Sequence, residues 1–282
     1  MTEWLSLALM GAEMLAMLVL MPFWSWLVES LPVFCSGQRG LPFRLTVRRA
    51  FVFLWTVGRG GINFKEGFCF VFLGLALMSL PGFSLDAGLS QKALTGFLSD
   101  PLLIGGGLLL VRFFLVPAES VSVSAGGAFA LLWLYLLLLL MAPYIHDLSM
   151  LAGHGNASLN GALTCSALAL MLSVPVPVSS ELVRVPRNLA EFDACNRYET
   201  ERKRGLLIFF QGLWIVFLSD LVVLPGGDST GLASLGSFLG RVMMVIMIIT
   251  LCRLTGMEKN LRPISLLLGL GLLFALAGRF AS

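Results

Sequence analysis

Charge is what this sequence has least of. Only 12% of its 282 residues are Asp, Glu, Lys or Arg, about half the share with which a soluble domain covers its surface. Lipid or partner subunits must supply the surface that charge does not. Histidine is nearly absent: His146 and His154 share a short loop with Asp147 as the nearby carboxylate, a poor beginning for a metal site. The five cysteines (Cys35, Cys69, Cys165, Cys195 and Cys252) lie far apart, mostly in or beside apolar stretches. No pair has metal-ligand or redox-motif spacing, so they read as inert buried thiols. The chain holds no nucleotide loop, metal box or nucleophile–base pair. Its one glycine run, Gly105-Gly106-Gly107, falls inside an apolar segment, where helix packing explains it better than phosphate binding. The opening Met-Thr-Glu-Trp lacks the basic region and cleavage site of a signal peptide and the Arg-rich character of a transit peptide. The first apolar run is therefore expected to be a permanent span.

Hydrophobic sequence is present in excess, at 57% of residues and a mean hydropathy of +0.91. A helix needs about 20 largely apolar residues to cross a bilayer. Runs of that kind occupy roughly 4–28, 67–85, 101–117, 126–146, 159–178, 206–224, 238–255 and 263–281, bounded by Gly, Pro, Asn or charge. The third is short and holds Arg112. These runs lack the alternation of barrel strands, and within a membrane only helices or closed barrels satisfy the backbone. The expected fold is an all-α integral membrane protein of about eight transmembrane helices, forming one membrane domain over 1–282.

Eight spans sort the loops onto two sides. One side receives Arg39, Arg44, Arg48, Arg49, Arg59, Lys65, Arg184, Arg187, Arg197, Arg202, Lys203, Arg204, Arg253, Lys259 and Arg262; the other keeps Lys92, Arg241 and Arg279. By the positive-inside rule the first side is cytoplasm or mitochondrial matrix, with both termini opposite. Residues 41–59 on that inner side place Leu45, Arg48, Arg49, Phe51, Val52 and Trp55 at helical spacing. Basic residues among bulky aromatics are the pattern of an interfacial amphipathic helix. Two acids, Glu13 and Asp220, fall at membrane depth. They are read either as proton-path members or as groups that snorkel or bond between helices.

The other polar inner segment, 179–205, reads SSELVRVPRNLAEFDACNRYETERKRG and carries 11 charged residues in 27. Glu181 and Arg184 are spaced to share a helix face, and Pro186 then breaks or bends the backbone. On the residues alone this is either a solvated loop whose charges pair with one another or the polar lining of a cavity or proton path.

The segment resembles the signature loop of NADH dehydrogenase subunit 1, the membrane subunit at the foot of respiratory complex I, a family related to the membrane anchors of energy-converting hydrogenases. The family pattern is E-x-x-R-x-P-F-D-L-x-E-x-E. Glu181, Arg184, Pro186, Leu189 and Glu191 match it in register, with Asp193 in place of the last Glu. The chain departs at Arg187 and Asn188, where the family has Phe-Asp. Around Glu29, Leu-Val-Glu-Ser resembles the family's Val-Glu-Arg at the end of its first helix, and GLPFRLTVRRAFVFL resembles a compressed form of its amphipathic helix. The glutamate expected midway in the fourth helix is missing, where Leu136 to Leu140 run unbroken.

The resemblance implies a subunit that walls a quinone-access chamber and starts a proton path, with ubiquinone as substrate. The iron–sulfur clusters and FMN would belong to partner complex I subunits, and nucleic acid plays no part. It makes Glu181, Glu191 and Asp193 the relaying acids, with Arg184 biasing their charge. Glu29, with Arg39 and Arg48, would lie at the quinone entry. It places the chain in the mitochondrial inner membrane, a bacterial plasma membrane being the alternative. Two rival readings remain: a small secondary transporter, for which no internal repeat is found, and a purely structural membrane anchor.

Overall fold

The computed structural model describes residues 2–40, 42–57, 63–80, 101–115, 127, 129–137, 157–174, 176, 194–222, 232–256 and 261–281. Nine helices lie among them: α1 (Thr2–Cys35), α2 (Phe43–Val57), α3 (Phe64–Ser79), α4 (Pro101–Leu115), α5 (129–137), α6 (Ala157–Ser173), α7 (Ala194–Leu221), α8 (Leu232–Thr255) and α9 (Leu261–Ala281). No strand occurs among the described residues. Three helices contain stretches long and apolar enough to cross a membrane: Gly11–Cys35 in α1, Arg202–Leu221 in α7 and Leu235–Thr255 in α8. Shorter apolar stretches run over Leu102–Leu115, Asn160–Ser173 and Arg262–Ala277. The protein is all-helical in its described part and has the helices of a membrane-embedded chain.

Where it is described, each apolar run of the sequence is helical, and two of the helices, α1 and α7, run well past the expected bounds. α1 continues to Cys35, past both Pro22 and Pro32. It stops where Gly37 adopts a left-handed φ of 75°. Gly37 N–H then donates to Phe34 O and Gln38 N–H to Val33 O, the paired bonds that close a helix with a C-terminal glycine. At the other boundary, α7 starts at Ala194, so Arg197 to Arg204 lie on its first turns and not in a loop. No proline falls between Ala194 and Gly205, and Glu, Lys and Arg are good helix formers, so nothing there stops the helix.

α7 is the axis of the bundle. It packs against α1, α2, α3, α4, α6 and α8. Trp214 at its centre is fully buried; its ring stacks on Phe210 at 6.1 Å and tilts against Phe217 at 5.6 Å. Small residues set how closely the neighbours approach. Gly212 lies under Met21 of α1, and Gly205 lies under Phe53 of α2. The glycine run of α4 serves the same purpose: Gly105 faces Leu131 and Phe217, and Gly107 faces Phe72. α6 and α9 pack as a pair, in which Gly161 meets Phe274 and Gly271 meets Cys165.

α2 buries Thr46, Ala50 and Phe53 on one stripe and leaves Phe51 66% exposed. The face turned to the bundle is thus set by the glycine beneath Phe53, and Phe51 joins Arg44 and Arg48 on the outer face. Phe43, at the start of α2, meets Phe23 and Trp26 of α1 edge-on at 6.0 and 5.5 Å. Of the cysteines, Cys69 and Cys252 are buried, but Cys35 is exposed because it ends α1.

Candidate functional site

Two helices build the first part of the site. On α1, Leu18, Met21, Ser25 and Glu29 recur at intervals of three and four and so form one stripe. The first two line an apolar groove of about 140 Å³, completed by Phe53 of α2, Phe70, Leu73, Gly74 and Leu77 of α3, and Leu206, Phe209 and Leu213 of α7. A groove with an almost wholly apolar lining suits a hydrocarbon chain and offers nothing to a polar solute.

Further along the stripe the chemistry changes. Glu29 is buried, and its Oε1 accepts a hydrogen bond from Gln211 Nε2 of α7 at 3.0 Å. The amide oxygen of Gln211 accepts in turn from the Ser25 hydroxyl. Flipping the amide would set its oxygen against the Glu29 carboxylate, which as an ion only accepts, so ionised Glu29 fixes the orientation of Gln211 and Gln211 that of the Ser25 hydroxyl. Gln211 itself is fully buried.

Arg253, near the end of α8, ties this region to another. Pro32 has no N–H, so the carbonyl four residues earlier, that of Val28, lacks its usual helical donor. Arg253 Nη1 supplies one at 2.8 Å. Its Nη2 donates to the carbonyl of Val176. One guanidinium therefore gathers the end of α1, the end of α8 and the residue just past α6. Val176 stands directly before 177–193, and α7 begins directly after it.

Of the residues singled out in the sequence, Glu29 is the one the structure places inside this arrangement. Arg39 follows α1 and Arg48 lies on α2, and both are exposed. Glu181, Arg184, Glu191 and Asp193 lie outside the described residues. Asp220 is buried and faces Arg241 of α8 at 3.9 Å, an ion pair between helices. Glu13 is buried in α1.

Ser25, Gln211 and Arg253 were not singled out by sequence reasoning as site residues. A glutamine inside an apolar span was the available signal, as was a proline that strips a carbonyl of its donor. A further acid, Glu66, lies buried at the start of α3 and faces Arg202 Nη1 at 3.5 Å. Compared with known protein families and with characterised proteins, the chain matches none.

Proposed function

We propose that this chain is a divergent membrane subunit of respiratory complex I, spanning the bilayer eight times, walling the quinone-access chamber and beginning the proton path. One observation carries the reading beyond sequence resemblance. A single stripe of α1 runs from the apolar groove, through Leu18 and Met21, to the hydrogen-bonded Ser25–Gln211–Glu29 cluster. A substrate with a long apolar tail and a polar redox head needs that order of surfaces. The clamp of Arg253 on Val28 and Val176 adds support, because it brings Glu29's turn of helix beside the point from which the acidic segment departs.

In this role the groove accepts the isoprenoid tail from lipid, and Glu29, oriented by Gln211, is a carboxyl able to pass a proton. Glu181, Glu191 and Asp193 continue the relay, since like-charged acids close together in low dielectric load and release protons in turn. Arg184 sets which of them is charged. Electron carriers reside in partner subunits, so catalysis belongs to the assembly, in the mitochondrial inner membrane.

Gentle solubilisation tests membership: the chain is expected to migrate in a very large assembly with iron–sulfur proteins. Migration alone or as a small oligomer would refute it. The groove is tested by Gly74→Phe. A Cβ at Gly74 meets no atom within 4 Å, so the fold tolerates it while the groove fills. Reduction of a long-tailed quinone should fall about tenfold, equivalent to roughly 1.4 kcal/mol, with a tail-less analogue spared. For the relay, Glu191→Gln should lower quinone-coupled proton translocation more than assembly, and wild-type pumping in that variant would rule it out.

A further inference from the structure

The Val28 carbonyl that Pro32 deprives of its helical donor belongs to the peptide unit whose nitrogen is that of Glu29. Whatever holds that oxygen also fixes where the Glu29 backbone starts. Arg253 holds it, with Nη1 donating at 2.8 Å. The arginine is itself gripped on two sides. Its Nη2 donates to the carbonyl of Val176, which precedes another proline, Pro177. Its backbone sits where α8 closes: Gly256 takes a left-handed φ of 63°, and its N–H donates to Arg253 O at 3.3 Å. A guanidinium is a rigid plane, so its two Nη atoms hold the two carbonyls at one separation. From the other side, Gln211 Nε2 meets Glu29 Oε1 at 3.0 Å. Glu29 is thus held twice, its backbone from α8 and its carboxyl from α7.

We infer that Arg253 is a positioning residue for Glu29: it supplies from α8 the donor that Pro32 removes from α1, and so keeps the carboxyl in register with Gln211 and Ser25. An unbroken helix would need no such residue, because its own ladder would hold the Val28 carbonyl. A proline alone would let α1 bend at the turn that carries Glu29. Together, Pro32 and Arg253 transfer control of that turn from the ladder of α1 to α8 and to the residue just past α6. The inference deepens the quinone reading and rests on it for its consequence, since there Glu29 passes a proton. The geometry itself is tested without that reading.

The test uses the full-length chain in lipid nanodiscs and two readouts. Infrared spectroscopy follows the Glu29 carboxyl band, identified by its loss in Glu29→Gln. Hydrogen exchange follows the amides of residues 29–38. Arg253→Met keeps the length of the side chain and removes both donors. It should shift the band and speed exchange about tenfold, the scale of one hydrogen bond to a charged group. Pro32→Ala restores an N–H at position 32. In that background Arg253→Met should leave the band in place and change exchange by less than about twofold, a coupling that the double-mutant cycle isolates. Asp220→Asn controls for general loosening of the bundle and should not move the band. Arg253→Lys keeps the charge but serves one carbonyl at a time; it should give an intermediate shift, and it carries the test if Arg253→Met does not fold. An unmoved band in the Arg253 variants, a shift that Pro32→Ala fails to reverse, or an equal shift in Asp220→Asn would overturn the inference. Failure of the chain to migrate with iron–sulfur proteins would instead end the quinone reading and leave these results standing.

Discussion

Helices α7 and α8 are both long and apolar, and hydropathy alone does not say which is central. Of the most apolar stretch of α7, 94% is buried; for α8 the share is 39%. The reason is that a membrane helix is apolar whether protein or lipid surrounds it, since both are oily. Both helices hold glycines and polar residues, and what separates the two is what those residues meet: a Cβ at Gly236 or Gly240 of α8 would meet nothing within 4 Å. α7 carries Gly205 and Gly212, which admit neighbours, and Gln211 and Asp220, which find partners on α1 and α8. α8 instead shows Met243, Met247, Leu251 and Leu254 on its exposed face. The contrast predicts where substitution will be felt.

The largest loss is expected from Trp214→Ala. It removes a fully buried indole from between Phe210 and Phe217 and should cost about 3–5 kcal/mol, read as a drop in unfolding midpoint in detergent. Next comes Gly212→Val. A Cβ there would sit 2.7 Å from Met21 Cβ and 3.0 Å from its Cα, which is backbone and cannot swing aside. α1 and α7 must part, at about 1–3 kcal/mol, and the Ser25–Gln211–Glu29 bonds should weaken with them. A smaller effect is predicted for Asp220→Asn, which removes the charge that Arg241 faces. Polar interhelical contacts in membranes contribute about 0.6–1.7 kcal/mol, and a double-mutant cycle with Arg241→Gln isolates the coupling. Smallest of all is Met247→Ala on the exposed face of α8, expected within about 0.5 kcal/mol of wild type. Equal losses from Trp214→Ala and Met247→Ala would abolish the distinction between the two helices.

Much of the candidate site was hidden in the sequence for a related reason. Glu29 was legible only through the resemblance of its Leu-Val-Glu-Ser stretch to a known helix-end motif. Its partner Gln211 lies 182 positions away, and no local pattern announces that α1 and α7 are neighbours. Arg253 counted toward the sidedness of the chain, yet its hydrogen bonds reach Val28 and Val176, a link between three helix ends that charge sorting does not contain. The charged residues from Arg197 to Arg204 read as part of a polar segment; they lie on α7 because helix propensity carries through where no proline intervenes. Glu66 drew no notice in the sequence, because the arginine that faces it, Arg202, belongs to a different helix.

The sequence by itself determined that this is a helical, membrane-embedded chain, because apolar runs of spanning length can satisfy their backbone in lipid only by coiling. Only the tertiary structure decided that α7 is central, that α2 turns Phe53 and not Phe51 inward, and that an oily groove leads along α1 toward a bonded carboxylate. Those outcomes depend on which surfaces interlock at close range, and interlocking is a property of pairs of helices, not of any one of them.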